Sequence, residues 1–171
     1  IAELEGVPVE CIETFQGSSD PLHRAMLAWT SPDKALVYAE PGYEAGWRAC
    51  KVTGAEVVQV PLLPSLAHDV RAMCATQKPV GIVYICNPNN PTGTTTPRDE
   101  ILWALANKPA GSILIVDEAY IHFCDEQTVA PLVVGHPDLL VLRTFSKLYG
   151  MAGLSLGVAI AQPQLLNQLR T

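Results

Sequence analysis

The fold is decided by a pattern that is clearest in residues 139–150, LLVLRTFSKLYG, where a short apolar run leads directly into a polar cluster containing Lys147. The same pattern occurs twice upstream, in residues 80–93, VGIVYICNPNNPTG, and in residues 113–120, ILIVDEAY. Short apolar runs rich in Val and Ile are typical of strands buried on both faces. Because ligands of open α/β sheets bind beyond the carboxyl ends of the strands, we expect the three clusters to converge on one site.

The composition is that of a globular, mildly acidic chain. It has 171 residues, of which 49% are apolar, enough for one domain with a buried core. The net charge is −6 and no stripe of Lys or Arg occurs, which argues against nucleic acid as the main partner. No apolar stretch reaches the length of a membrane span, and Ile1 does not begin a signal-peptide pattern, although the natural start can lie elsewhere. We therefore expect a cytoplasmic protein.

The cysteines and histidines form no set with the spacing of metal ligands. The number of cysteines is odd, none are arranged as Cys-x-x-Cys, and each lies in or beside an apolar run. We expect buried, reduced thiols, with a catalytic thiol or a metal site as the lesser alternative, and we interpret the histidines as ordinary surface or packing residues. These residues are Cys11, Cys50, Cys74, Cys86 and Cys124, with His23, His68, His122 and His136.

Strand-like runs alternate with helix-like stretches along the whole chain. Such alternation predicts a mostly parallel sheet covered by helices, a three-layer α/β/α fold with seven strands. The clearest helix is residues 20–29, whose apolar residues recur with helical spacing, and another begins at Pro97 with acidic residues in its first turn. The predicted strands are residues 10–15, 35–39, 56–60, 80–86, 112–116, 139–143 and 154–161, and weaker helices are predicted at 43–52, 66–74 and 162–169.

The three polar clusters together resemble the fold-type-I aminotransferases that use pyridoxal phosphate. Their sequences are Asn-Pro-Asn-Asn-Pro-Thr-Gly, Asp-Glu-Ala-Tyr and Thr-Phe-Ser-Lys-x-Tyr-Gly. Among these aminotransferases they are most similar to the histidinol-phosphate aminotransferase-like group, and the resemblance covers essentially all 171 residues. It implies the large domain of that fold, with the last strand antiparallel to the others. The family's N-terminal arm and C-terminal small domain have no counterpart here. The resemblance thus implies a large-domain fragment of a parent that forms homodimers.

The resemblance also implies a role for the polar residues at the strand ends. Lys147 is expected to form the Schiff base with the cofactor and then to move a proton at the substrate α-carbon. Asp117 is expected to pair with the pyridinium nitrogen, and Ala119 is small enough for the ring to lie against it. Asn90 and Tyr120 are expected to donate hydrogen bonds to the ring oxygen. Taken alone, Asp117 could equally be a turn residue that follows a strand.

The segment Gly-Ser-Ser-Asp at residues 17–20 precedes the clearest predicted helix. Backbone N–H groups at a helix N-terminus bind phosphate, so Ser18 and Ser19 are expected to hold the cofactor phosphate, helped by the hydroxyls of Thr144 and Ser146. The alternative is a plain helix cap. The resemblance further places Tyr43 against the face of the cofactor ring, with core packing as the alternative.

Two details of the family pattern concern the backbone and the phosphate. The resemblance implies a cis peptide bond between Asn90 and Pro91. Family members usually carry an Arg eight residues after the Schiff-base lysine, where this chain has Ser155. Because Arg–phosphate contacts are charge-assisted and often bidentate, the substitution is expected to weaken cofactor retention.

These residues predict a pyridoxal-phosphate-dependent aminotransferase that acts on small molecules, an amino acid and a 2-oxo acid or phosphorylated ketone. The family's carboxylate clamp for the substrate is an Arg of the small domain, so this chain would hold the cofactor site and little of the substrate site. A lyase or decarboxylase of the same fold remains an alternative, because the choice of bond depends on substrate orientation. A second alternative is a folded remnant that binds no cofactor, which the serine at position 155 would favour.

Overall fold

Seven strands form one sheet in the computed structural model, which describes residues 1–170. In chain order they are β1 Ile12–Gln16, β2 Ala35–Glu40, β3 Val57–Pro61, β4 Val80–Cys86, β5 Ile113–Asp117, β6 Leu139–Thr144 and β7 Leu156–Ile160. Their order across the sheet is β1-β7-β6-β5-β4-β2-β3. Strands β2 to β6 pair in parallel, whereas β7 is antiparallel to both of its neighbours, β1 and β6. The predicted seven-stranded α/β fold and its antiparallel last strand are confirmed.

Helices cover both faces of this sheet. They are α1 Ala2–Glu5, α2 Ser19–Trp29, α3 Ala45–Thr53, α4 Val70–Cys74, α5 Arg98–Asn107 and α6 Pro163–Leu169. The side chains of the strands alternate between two apolar clusters: in β5, Leu114 and Val116 face one cluster and Ile115 faces the other. Buried residues of α4 and α5 belong to the first cluster and those of α2, α3 and α6 to the second. The three-layer arrangement follows from this alternation, because each face of a buried strand needs an apolar cover.

Several predicted boundaries were wrong by a few residues. The helix predicted at 66–74 begins at Val70, because Leu66 has φ +64° and the Asp69 side chain caps the helix by accepting a hydrogen bond from Ala72 N at 3.0 Å. The helix predicted at 43–52 begins at Ala45. The last strand, predicted at 154–161, begins only at Leu156, because Ser155 lies in the left-handed region with φ +47°.

The start of α2 lies unusually close to strand β7. A Cβ atom placed on Gly157 would come within 2.3 Å of Gly17 C and 2.6 Å of Ser18 N. Both are backbone atoms, so they cannot yield as the end of a flexible side chain would. Gly17 has φ +73°, a conformation that glycine adopts without strain. The turn between β1 and α2 therefore depends on a glycine in a different strand.

Four of the five cysteines are buried, as predicted, and Cys124 is half-buried. Within residues 1–170 all five are free thiols. The same part of the chain contains no helix that combines the length and the hydrophobicity needed to cross a bilayer.

Gly157→Ala is expected to destabilise the protein by about 1–3 kcal/mol, the usual cost of forcing extra atoms into a packed site. The added methyl group must displace the Gly17–Ser18 backbone. Urea unfolding would measure the change, with Gly153→Ala as the matched control, because a Cβ on Gly153 meets no atom within 4 Å. Equal midpoints for the two variants would contradict the close approach.

Candidate active site

One cavity of about 250 Å³ opens beyond the carboxyl ends of β4, β5 and β6, next to the N-terminus of α2. The structure brings all ten predicted site residues to its wall, and it adds four more. The predicted ones are Ser18, Ser19, Tyr43, Asn90, Asp117, Ala119, Tyr120, Thr144, Ser146 and Lys147, and the additional ones are Gln16, Gly17, Cys86 and Ser155.

Asp117 is a buried carboxylate at the end of β5, with 2% of its surface exposed. Its Oδ2 accepts a hydrogen bond from Tyr84 Oη at 3.0 Å and its Oδ1 accepts one from Ala119 N at 3.1 Å. Burial raises the pKa of Asp117 to about 6, although these two hydrogen bonds lower it. The charge of neighbouring Glu118 raises the pKa as well, and the charge of Lys147 lowers it. Within residues 1–170 no basic side chain forms an ion pair with Asp117.

Sequence reasoning missed Tyr84, which orients this carboxylate from the adjacent strand. Burial and the charge of Asp117 raise the pKa of Tyr84 well above its usual value. The phenol therefore keeps its proton and donates a hydrogen bond to Asp117. The sequence pattern of residues 80–86 indicates only an apolar strand. A tyrosine inside a fully buried run was the available signal, because a buried phenol requires a hydrogen-bond partner.

Lys147 lies in a turn that follows β6 and is exposed toward the cavity opening. Its Nζ is 5.4 Å from the centroid of the Tyr120 ring, within the range of a cation–π contact. At the base of the turn, Ser146 N donates to Thr144 Oγ1 at 3.2 Å and Met151 N donates to Phe145 O at 3.1 Å. The amine and the Asp117 carboxylate thus face one cavity from neighbouring strands.

The N-terminus of α2 forms another side of the cavity. Ser18 occupies the N-cap position, but its side chain makes no capping hydrogen bond, so the plain-cap alternative does not describe it. Ser19 Oγ lies 3.2 Å from Tyr43 Oη. The first N–H groups of a helix have no partner within the helix, and the helix dipole favours an anion at this position. This side of the cavity therefore offers hydroxyl and N–H donors to an anionic group.

The three asparagines of the segment that follows β4 have different environments. Asn87 holds the segment together, since its Nδ2 donates to Thr96 O at 3.0 Å and its Oδ1 accepts from Thr96 N at 2.8 Å. Asn89 Nδ2 donates to Pro41 O at 3.1 Å. Asn90 alone of the three lines the cavity. The peptide bond between Asn90 and Pro91 is cis, as the resemblance implied.

Ser155 lies on the cavity wall beside Gly17. A Cβ on Gly17 would be 3.6 Å from Ser155 Oγ, so the serine hydroxyl borders the turn that leads into α2. Cys86 also lines the cavity, where burial raises the pKa of its thiol. The prediction of a buried thiol is correct for Cys86, but the sequence did not indicate that the sulfur borders the site.

Curated relatives match almost the whole of this chain. A histidinol-phosphate aminotransferase of Ralstonia nicotianae is 41% identical over 172 residues, which cover 96% of this chain and 46% of the relative. An aromatic amino acid aminotransferase of Cutibacterium acnes is 37% identical, over 99% of this chain and 49% of the relative. The chain spans about half the length of these relatives.

Solved structures share the fold. A structure from Erwinia carotovora atroseptica, provisionally assigned as a histidinol-phosphate aminotransferase, is 36% identical with a TM-score of 0.91, over 98% of this chain and 51% of that one. The histidinol-phosphate aminotransferase of Sinorhizobium meliloti, solved with pyridoxal-5'-phosphate, has a TM-score of 0.92 at 24% identity, over 99% of this chain and 47% of that one. The second likeness supports the fold alone.

A family profile agrees with the fold, the cavity and the relatives. The profile described as aminotransferase class I and II matches residues 7–171. The chain belongs to the aminotransferase class I and II family.

Proposed function

We propose that this chain is the pyridoxal-phosphate-binding domain of an aminotransferase. The observation that carries the proposal is that Lys147 and the buried Asp117 line one cavity, with Asp117 at the end of β5 and Lys147 in the turn that follows the neighbouring strand β6. The Asp117 carboxylate is buried and accepts hydrogen bonds only from neutral donors, so a nearby cation would stabilise its ionised form. A protonated pyridine nitrogen would be such a cation. The relatives named above support the same reading.

The dimensions and donors of the cavity fit the cofactor. Its volume of about 250 Å³ lies near the lower end of small-molecule sites, roughly 300 Å³. Ser18, Ser19, Thr144 and Ser146 would bind the phosphate. The backbone approach at Gly157 keeps the turn before α2 in the position needed for this contact. Because no Arg lines this cavity among residues 1–170, the phosphate would depend on hydroxyl and N–H donors.

When bound, pyridoxal phosphate supplies an electron sink for the bonding electrons of the substrate α-carbon. Lys147 Nζ would hold the cofactor at its carbonyl carbon and, as a free amine, would move a proton at the substrate α-carbon. Asp117 would accept the hydrogen bond of the ring nitrogen, with Tyr84 orienting the carboxylate. Asn90 and Tyr120 would donate to the ring oxygen, and Tyr43 would pack against the ring.

For the whole protein we propose transfer of an amino group between an amino acid and a 2-oxo acid or phosphorylated ketone, as in histidinol-phosphate aminotransferases. The 41% identity to a histidinol-phosphate aminotransferase and the 37% identity to an aromatic amino acid aminotransferase support it. We further propose a cytoplasmic homodimer in which residues 1–171 are the large domain. The N-terminal arm and C-terminal small domain of such a parent would complete the substrate site.

Lys147 is expected to be the residue that pyridoxal phosphate modifies. After incubation with the cofactor and reduction with borohydride, peptide mass spectrometry should find a stoichiometric adduct on Lys147 and none in Lys147→Ala. Lys51→Ala is the matched control, since Lys51 is an exposed lysine on α3 and should leave the adduct unchanged. Two results would instead support the alternative of a folded remnant that binds no cofactor. One is a preparation without adduct, and the other is adducts scattered over Lys34, Lys51, Lys78 and Lys108.

Asp117 is expected to make the cofactor-free protein more stable as the pH falls. Its folded pKa of about 6 exceeds the usual 3.8, so between these values the folded state binds a proton that the unfolded state does not. The unfolding free energy should therefore rise by up to about 3 kcal/mol from about pH 7 to about pH 4, relative to Asp117→Asn.

Urea unfolding across this range would measure the difference between the two proteins. Asp33→Asn is the control, because Asp33 is exposed. The same pH dependence in wild type and Asp117→Asn would mean that the buried carboxylate has an ordinary pKa.

A further inference from the structure

The segment that carries Lys147 is held by few buried contacts of its own. Residues 147–150 are all exposed, and Leu148 and Tyr149 expose 49% and 44% of their surface. Exposed turns of this kind are where folded proteins open locally. If Lys147 is to stay at the cavity, groups outside the segment have to hold it in place.

Aromatic contacts join this segment to the turn that follows Tyr120. The Tyr149 ring lies 5.3 Å from the Phe145 ring and meets the His122 ring edge-on, with 5.6 Å between centroids and 83° between planes. His122 belongs to the 3₁₀ turn Ile121–Phe123. His122 thus contacts Tyr149, which follows Lys147 by two residues, and it lies two residues after Tyr120, whose ring faces the Lys147 amine.

The other side of His122 is joined to a buried ion cluster around Arg143. Arg143 Nε donates to Glu118 Oε2 at 2.9 Å, and Nη2 donates to Glu5 Oε2 and to Thr128 Oγ1, both at 2.8 Å. Arg143 Nη1 is 2.7 Å from His122 Nε2. A guanidinium has donors only, so the imidazole nitrogen must accept this bond. That requires a neutral His122 with its proton on Nδ1.

We infer that His122 is a positioning residue for Lys147, and that it acts only as the neutral imidazole, by accepting a hydrogen bond from Arg143. Arg143 lies in β6, four residues before Lys147, and is itself fixed by Glu118 and Glu5. The bond to His122 therefore ties the outer turn to the buried strand on which Lys147 is built. The inference rests on the proposed role of Lys147.

Protonation of His122 would turn its acceptor nitrogen into a donor and bring a second cation against Arg143. The bond would then be lost. Burial and the charge of Arg143 lower the pKa of His122 from its ordinary 6.5, whereas Glu5 raises it, so the neutral form prevails at neutral pH. The charged and titratable groups around it are Arg143 from β6, Glu5 from α1, Glu118 after β5, and Glu126, Cys124 and Tyr149 from the surrounding loops.

Amide hydrogen exchange of residues 144–151 tests the positioning without the cofactor. His122→Gln keeps an acceptor oxygen and loses the ring, whereas His122→Phe keeps a ring and loses the acceptor. At one neutral pD we expect His122→Gln to exchange like wild type and His122→Phe to exchange on the order of tenfold faster, as for the loss of a hydrogen bond to a charged group. His136→Gln is the control, because His136 precedes β6 and so lies at the end of the strand away from Lys147.

Two results of the exchange experiment would overturn the inference. In one, His122→Phe protects the segment as well as wild type does. In the other, both variants exchange equally fast, which would mean that a hydrogen-bond acceptor at position 122 does not suffice to hold the segment. Neither result depends on pyridoxal phosphate, so a missing Lys147 adduct would reject the proposed function without deciding this question.

The pH response is measured by the fraction of Lys147 that borohydride traps with pyridoxal phosphate between about pH 5 and about pH 8. Every other residue is the same in wild type and His122→Gln, so the difference between the two profiles reports on His122. We expect wild type to lose severalfold more adduct than His122→Gln at the acid end. Superimposable profiles would overturn the requirement for a neutral imidazole.

Discussion

The site depends on the parallel register of β4, β5 and β6. Cys86 at the end of β4 pairs with Asp117 at the end of β5, and Asp117 pairs with Leu142, two residues before the end of β6. Since parallel strands place their carboxyl ends at one edge, the segments that follow them meet there. Residues far apart in the chain thereby line a single cavity. A shift of one residue in this register would turn every following side chain to the other face.

The two adjacent carboxylates at the end of β5, Asp117 and Glu118, have different hydrogen-bonding and ion-pair partners. Glu118 is buried, but Arg143 pairs with it and Thr128 Oγ1 and Val129 N donate to it. Asp117 receives hydrogen bonds only from neutral donors, and burial raises its pKa to about 6. Burial raises the pKa of both carboxyl groups, but Glu118 has a guanidinium partner, whereas Asp117 faces the cavity without a cationic partner among residues 1–170. Uncompensated buried charge of this kind is a mark of functional sites.

The side of the cavity that we propose for the phosphate is subject to a steric constraint in addition to an electrostatic one. The turn before α2 can approach β7 because Gly157 has no side chain, and Gly17 supplies the left-handed backbone that the turn needs. The Ser18 side chain makes no capping hydrogen bond. Ser18, Ser155 and Thr144 line the same cavity. The proposed anion site thus consists of backbone N–H groups and short hydroxyl side chains. This fits a chain that carries serine where an arginine is usual in the family.

The sequence by itself determined the sheet, its seven strands and the residues at the strand ends, because apolar runs and turn motifs are local signals. It also located the start of α2. Only the tertiary structure decided that Tyr84 orients Asp117 and that the Cys86 thiol borders the cavity. It alone joined His122 to Arg143. These facts depend on strand register and on partners distant in the chain, which residue spacing does not encode, since a side chain's environment is set by the elements that pack around it.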